Sequence, residues 1–151
     1  MASRFLFPAL LAGVVTAGGA IGFAWPIHTE AQAEGRAVHF SLCHSGGGTN
    51  CVVDGDTIWL AGVKIRIMDI DAPETHPSKC PMEADLGGKA TARLQALLNA
   101  GSFNVESRGA RDTDKYGRQL RVLTRKGRSL GAKLVEEGLA REWGGARRPW
   151  C

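Results

Sequence analysis

A small α+β domain, with short strands forming a barrel and helices packed beside it, is the fold class this sequence predicts. Three observations carry that reading. Apolar residues alternate over short runs bounded by turn residues, two later segments switch to helical spacing, and 151 residues suit one domain with a modest core.

The first segment is unlike the rest. Residues 5–25 are 21 residues without a charge, preceded by Arg4 and followed by Pro26 and a polar run ending Ala31-Gln32-Ala33. This order reads as a secretory signal peptide over residues 1–33, cleaved after Ala33, with the folded domain over residues 34–151. The run is also long enough to span a bilayer as an uncleaved anchor, the one form in which a membrane becomes a partner. Gly13, Gly18, Gly19 and Gly22 weaken it as a permanent span, so cleavage is preferred. Either way the domain is expected outside the cytoplasm, secreted or periplasmic.

Within the domain, residues 37–42 have strand character and the Gly/Ser/Thr/Asn-rich residues 45–50 read as a loop. Residues 57–60 and 63–68 are two strands joined by Ala61-Gly62, a tight hairpin. In the second strand Val63, Ile65 and Ile67 alternate with Lys64, Arg66 and Met68, so one face is apolar and the other carries Arg66. Ala90, Leu94, Leu97 and Leu98 fall at helical spacing and predict a helix over residues 88–100 that ends before Gly101. Residues 103–107 and 119–124 read as strands. Ser129 caps a second helix through Leu130, Leu134 and Val135 to Gly138. The tail, residues 144–151, shows no element, and the chain has no internal repeat.

Four cysteines, Cys43, Cys51, Cys80 and Cys151, agree with export, since an even count in a short secreted chain points to disulfides. Zinc is disfavoured, because there is no Cys-x-x-Cys pair and His28, His39, His44 and His76 show no ligand spacing. Proximity suggests Cys43–Cys51, which leaves Cys80–Cys151. The charge is divided. Residues 34–100 hold 6 Lys/Arg and 8 Asp/Glu, whereas residues 101–151 hold 12 and 6, so a slightly acidic half precedes a basic one. Carboxylates that hold a cation beside arginines that hold phosphate are what a metal-assisted site on a polyanion needs.

The acidic residues Asp54, Asp56, Asp71 and Glu74 flank the hairpin, in Val-Asp-Gly-Asp-Thr (53–57) and Asp-Ile-Asp-Ala-Pro-Glu-Thr (69–75). The hairpin brings its ends together, so Asp56 and Asp71 come within reach of one hard cation, with places left for water and a phosphate. Asp54 and Asp69 read instead as turn and strand-end residues. Pro73 stiffens the backbone between Asp71 and Glu74. In the second group, Asp114-Lys115-Tyr116-Gly117-Arg118, Arg118 offers, like Arg66, a planar donor fork that matches two phosphate oxygens. Lys115 and Tyr116 are candidates for contact with a phosphate or a sugar.

Three segments, Val53-Asp54-Gly55-Asp56-Thr57, Arg66-Ile67-Met68-Asp69-Ile70-Asp71-Ala72-Pro73-Glu74-Thr75 and Thr113-Asp114-Lys115-Tyr116-Gly117-Arg118, together resemble staphylococcal nuclease and its thermonuclease family, in order and near spacing. Leu134-Val135-Glu136-Glu137-Gly138-Leu139-Ala140 is similar to the family's later helix and its exit. The resemblance covers roughly residues 50–143. It implies a five-stranded OB-fold β-barrel with flanking helices, and a Ca²⁺-dependent nuclease that hydrolyses DNA or RNA. By that resemblance Asp56, Asp71 and the backbone carbonyl of Ala72 are metal ligands, and Glu74 orients or deprotonates the attacking water. Arg66 and Arg118 neutralise charge on the phosphoryl oxygens, and Lys115 and Tyr116 bind the nucleotide phosphate.

The chain departs from the family in three places. Ala72 stands where the family has Thr, the family's final helix gives way to a tail that a disulfide can tie down, and the base-stacking tyrosines near that exit are missing. Trp143 is a possible substitute, although it reads first as a tail-packing residue. No protein partner is inferred and a monomer is expected. The competing reading is a non-catalytic OB-fold module that binds nucleic acid or protein, which has no need of the whole set Asp56, Arg66, Asp71, Glu74 and Arg118.

Overall fold

The computed structural model describes residues 38–44, 48–146 and 148–151. The expected leader, residues 1–33, lies outside the described residues, as does the start of the first expected strand. None of the described helices is long and apolar enough to cross a membrane.

The chain enters through β1 (Ser41–Leu42) and β2 (Cys51–Asp54), which pair in parallel and are linked by the Cys43–Cys51 disulfide. Next come β3 (Thr57–Leu60) and β4 (Val63–Ile67), antiparallel with Ile58 opposite Ile65. Their turn is the expected one: Ala61 and Gly62 have φ of 50° and 80°, the paired left-handed conformation that matches strand twist in a two-residue hairpin. The two-residue strand β5 (Ile70–Asp71) follows, then helix α1 (Pro81–Asn99). After β6 (Asn104–Glu106) and the seven-residue β7 (Gln119–Arg125), the short β8 (Arg128–Ser129) leads into helix α2 (Leu130–Glu136), and β9 (Arg141–Glu142) ends the order. The main sheet runs β1-β2-β3-β4-β7-β6 with β8 on β7, and β5 pairs separately with β9. Five of these strands, β2, β3, β4, β6 and β7, have three residues or more.

The parallel β4–β7 pair is the joint of the fold, because it places Arg66 beside Leu120 and brings the residue before β7, Arg118, to the same end of the sheet. Ile58, Ile65, Ile67, Ile70, Leu94, Leu98, Leu123 and Leu134 close the core between sheet and helices. Phe40 is locked to α1 by three hydrogen bonds: its N–H donates to Asn99 Oδ1 at 2.8 Å, and its carbonyl accepts from Gln95 at 3.0 Å and Asn99 at 2.9 Å.

Helix α1 begins seven residues earlier than the apolar spacing predicts. Its N-cap is Cys80, whose sulfur accepts from the Glu83 N–H at 3.5 Å, while the Glu83 carboxylate accepts from the Lys79 N–H at 2.6 Å. The pair is a shifted form of the capping box, with sulfur in the hydroxyl's place and the N–H of Lys79, one residue before the cap, bound in place of the cap's own. A cysteine is not an ordinary cap, and Gly87-Gly88 lowers helix propensity, so the first two turns left no clear signal. The second helix matches expectation: Ser129 Oγ accepts from the Ala132 N–H at 3.1 Å, and Gly138, at φ 71°, ends the turn. Both disulfides expected from the cysteine count are present, Cys43–Cys51 with Cα atoms 5.0 Å apart and Cys80–Cys151 with Cα atoms 6.1 Å apart.

The adjacent glycines of α1 differ in surroundings. A Cβ on Gly87 would lie 2.8 Å from the Pro73 carbonyl and 3.0 Å from that of Glu74, whereas one on Gly88 would meet nothing within 4 Å. Gly87→Ala is therefore expected to cost about 1–3 kcal/mol by pushing α1 off a backbone that cannot yield. Gly88→Ala should gain up to about 1 kcal/mol of helix propensity. Urea denaturation of both variants checks this, and effects of equal sign would refute the packing argument.

Candidate active site

The Asp54-Gly55-Asp56 turn is placed by close approach. A Cβ on Gly55 would stand 2.7 Å from the side chains of both Ala72 and Ala90, so only glycine lets the β2–β3 turn sit against β5 and α1. There the Ala72 N–H donates to Asp56 Oδ2 at 2.9 Å, and Thr57 Oγ1 donates to Asp56 Oδ1 at 3.0 Å. Asp54 takes the turn role expected of it, accepting the Asp56 N–H at 3.1 Å. Asp69 is likewise structural: its carboxylate accepts from Ser129 Oγ at 2.6 Å, beside the start of α2.

Arg66 joins the two expected metal carboxylates. Its NH2 lies 2.9 Å from Asp56 Oδ2 and 3.6 Å from Asp71 Oδ1, and its NH1 donates to the carbonyls of Ile67 and Ile70, the latter at 2.9 Å. The alternation in β4 suggests an open polar face for Arg66. Instead Arg66 is only 8% exposed, because the Ile67–Ile70 turn folds over it and Trp143 lies against it at 5.3 Å from the ring centroid.

Burial pushes the Asp56 carboxyl up to about 7 from 3.8, with Asp54 adding to the rise and Arg66 and the Ala72 and Thr57 donors opposing it. Glu74 is exposed at its tip, yet its carboxyl is also raised, first by partial burial and then by Asp54 and Asp71, against Arg66 and Arg118. Of the expected set, Glu74 thus feels Arg66, Arg118 and Asp71. Two carboxyls held above their ordinary range have less positive charge around them than their setting demands. A hard divalent cation relieves that condition, and the oxygen donors of Asp56 and Asp71 suit one. Among the described residues, no group of three His, Cys, Asp or Glu side chains forms a ligand cage.

Arg118 stands just before β7, the strand paired with β4. Its Nε bonds Asp114 at 2.7 Å and its NH1 donates to Thr57 Oγ1 at 3.3 Å, so one guanidinium ties the Asp114–Arg118 turn to the strand that follows Asp56. Asp114 accepts further from the Tyr116 and Arg118 N–H groups, and these donors with Arg118 hold its carboxyl low against the opposing pull of burial. Lys115 and Arg118 both lie over the Tyr116 ring, at 4.9 and 5.5 Å. A cleft of about 410 Å³ opens here, lined by Arg66, Lys115, Tyr116, Arg118, Trp143 and the loop that carries Arg108 and Arg111. Asp114 is the acidic member of this lining, whereas Asp56 and Asp71 are reached only through Arg66, which pairs with both. Tyr116 is 71% and Trp143 55% exposed, and Trp143, which lies against Arg66, also presents a face to the cleft.

Three residues of this neighbourhood escape sequence reasoning: Arg108, Arg111 and Arg141. The first two lie in a loop without periodicity. Arg141 binds Asp71 Oδ2 through Nε at 2.8 Å and NH2 at 2.6 Å, across the β5–β9 pair, and only the cluster of arginines near the C-terminus hinted at it.

The raised Asp56 carboxyl has a consequence for stability. Between about pH 4 and about pH 7 the folded state keeps a proton that the unfolded chain releases, so this contribution is full below the ordinary value and is lost as pH rises through the folded one. Asp56→Asn abolishes the titration. In metal-free buffer the stability of the variant relative to the parent should therefore improve as pH is raised across that window. Urea midpoints measured at several pH values test this, and a constant difference would contradict it.

Comparison with known proteins agrees with this geometry. A family model described as staphylococcal nuclease homologue matches residues 64–148, from β4 through the tail, and leaves Asp54 and Asp56 just outside. Endonuclease YhcR of Bacillus subtilis (strain 168) is 38% identical over 99 residues, covering 59% of this chain and 8% of the relative. Endonuclease YncB of the same organism is 37% identical over 94 residues, covering 59% of this chain and 44% of the relative. The SPbeta prophage-derived endonuclease YokF, also from that strain, is 38% identical over 94 residues, covering 59% and 31%. The chain spans less than half the length of each of these relatives. With more than half of its length matched by the family model, and with strands and two helices in the arrangement described, the chain belongs to the staphylococcal nuclease family.

Proposed function

We propose that this protein is a calcium-dependent nuclease that hydrolyses phosphodiester bonds of DNA or RNA outside the cytoplasm. The observation that carries the reading is the convergence on Arg66, which pairs with Asp56 and Asp71 and, with Arg118, Lys115, Tyr116 and Trp143, lines a cleft walled by basic and aromatic residues. The names of the relatives, all endonucleases, support the same class of reaction. Two disulfides support an oxidising location, and with it the export reading of residues 1–33.

Asp56 and Asp71 would hold the cation, with the Ala72 carbonyl as a further oxygen donor. When bound, the cation supplies fixed positive charge beside the scissile phosphate. The rest is done by the chain's own groups. Glu74, whose raised carboxyl suits proton transfer nearer neutrality, takes the proton of the attacking water. Arg118 donates to the phosphoryl oxygens as their charge grows, and Arg66, clamped on Asp56, brings the acidic pair up to the cleft wall. Lys115 meets a neighbouring phosphate, and Tyr116 and Trp143 offer aromatic faces to sugar or base.

The test is cleavage of single-stranded DNA and RNA by the purified protein with Ca²⁺, then with a chelator. Glu74→Gln should lower turnover about 10²–10⁴-fold while nucleotide binding with Ca²⁺ persists. Arg118→Lys should also be severe, since a point charge cannot reproduce a two-pronged contact. If both variants cleave at the parent rate the site is wrong. If the parent binds DNA with Ca²⁺ but never cuts it, the non-catalytic binding module is the better reading.

A further inference from the structure

We infer that Arg141 is a positioning residue for Asp71, and that the C-terminal tail serves as a disulfide-fastened strap that holds Arg141 in place. The inference rests on the reading of Asp71 as a cation-holding carboxylate.

Asp71 stands between two guanidinium groups. On one side Arg141 grips a single oxygen, Oδ2, with both Nε and NH2, at 2.8 and 2.6 Å. On the other, Arg66 NH2 stops 3.6 Å from Oδ1, beyond ordinary hydrogen-bond length. The double contact on Oδ2 keeps Asp71 from swinging further onto Arg66 and leaves Oδ1 outside hydrogen-bond reach of that guanidinium. Without that restraint, Asp71 is free to close on Arg66 and tighten their loose 3.6 Å ion pair into a hydrogen-bonded one that competes with a divalent cation. Residues that orient a metal-binding carboxylate act in this way, and their loss typically weakens metal affinity about 10–100-fold.

Arg141 has its own restraints, two of them in the tail. Its guanidinium lies 4.3 Å from the centroid of the Trp150 ring, its NH1 donates to the Arg148 carbonyl, and its backbone is paired opposite Asp71 in the β5–β9 ladder. The next residue after Trp150 is Cys151, bonded to Cys80, the N-cap of α1. The tail is therefore fixed at both ends, by β9 and by the disulfide, with Trp150 pressed on Arg141 between them. An exposed segment of so few residues lacks a core of its own, and fastening its end limits the conformations it would otherwise sample.

The test is calorimetric titration of Ca²⁺ into the full-length protein, with cleavage measured in parallel over a range of Ca²⁺ concentrations. Arg141→Lys keeps the charge, and hence its repulsion of a cation, but loses the fork. It should weaken Ca²⁺ binding about 10–100-fold. Turnover at saturating Ca²⁺ should return to within about threefold of the parent, as expected of a group that acts through Asp71 rather than on substrate. Trp150→Ala should shift affinity in the same direction by a smaller factor with the disulfide intact, and so should the paired change Cys80→Ser with Cys151→Ser, its folding checked by thermal melting. Parent-like Ca²⁺ affinity in Arg141→Lys overturns the inference, as does turnover that stays depressed at saturating Ca²⁺. A parent that binds Ca²⁺ without cleaving defeats the nuclease reading, while the affinities still decide the role of Arg141. A parent that binds no Ca²⁺ defeats both.

Discussion

The guanidinium of Arg66 has almost no water left around it, and the chain around the site is arranged to meet that demand. Removing such an ion from solvent costs several kcal/mol unless its donors and charge are answered. NH1 is answered by two carbonyls of the Ile67–Ile70 turn, NH2 by Asp56 with Asp71 further off, and one face by the Trp143 ring. The turn must therefore wrap back over β4, the β2–β3 turn must deliver Asp56, and β9 must bring Trp143 across. Each of these comes from a different part of the sequence. Their meeting point is set by compensation of one charge more than by any preference of the strands themselves.

Close approach makes that compensation possible. The Asp54-Gly55-Asp56 turn reaches Ala72 only because Gly55 has no side chain and Ala72 and Ala90 have small ones. Gly87 does the same for the Pro73–Glu74 backbone one turn earlier on α1. The helix thus acts as a flat wall against which both acidic loops are pressed. The wall is itself anchored at its start by the Cys80 cap and at its end by the Phe40 bonds to Gln95 and Asn99. Rigid walls suit a site whose carboxyls stay above their ordinary range, since a looser loop would let water in and relax them.

Much of this was readable from sequence where a local rule and a long-range need agree. The Ala61-Gly62 hairpin, the Ser129 cap and the alternation of Ile65 and Ile67 follow from turn chemistry and periodicity, and the structure keeps them. The meeting of Asp56 with Asp71 also follows, since a hairpin joins its own ends. Three features had no local signal. The first two turns of α1 hide behind a cysteine cap and a glycine pair whose first member is there for packing. The burial of Arg66 depends on a turn and a tail that no period within β4 reports. The grip of Arg141 on Asp71 spans 70 residues and needs the two-residue pairing of β5 with β9, too short to leave an alternation.

The basic half of the chain shows why charge counting overstates what a polyanion meets. Of its 12 Lys and Arg residues, several are already engaged: Arg121 with Asp112, Arg108 with Glu106, Arg128 and Lys133 with Glu136, Arg118 with Asp114 and Arg141 with Asp71. Arg125 spends its donors on the carbonyls of Gly101 and Ser102. These engagements are not equal. The exposed Arg108–Glu106 and Arg128–Glu136 pairs are each worth about 0–1 kcal/mol, so a phosphate can displace either carboxylate at little cost. The Arg118–Asp114 pair is part of a turn with four further hydrogen bonds that involve its backbone, and Arg66 is buried, so neither can be redirected without disturbing the fold. The cleft therefore has two tiers of positive charge: a fixed inner pair whose orientation is settled before a ligand arrives, and outer loop arginines free to follow a flexible backbone. In the proposed nuclease, a donor set in advance, such as Arg118, with adaptable ones around it would favour the transition state over mere binding of the strand.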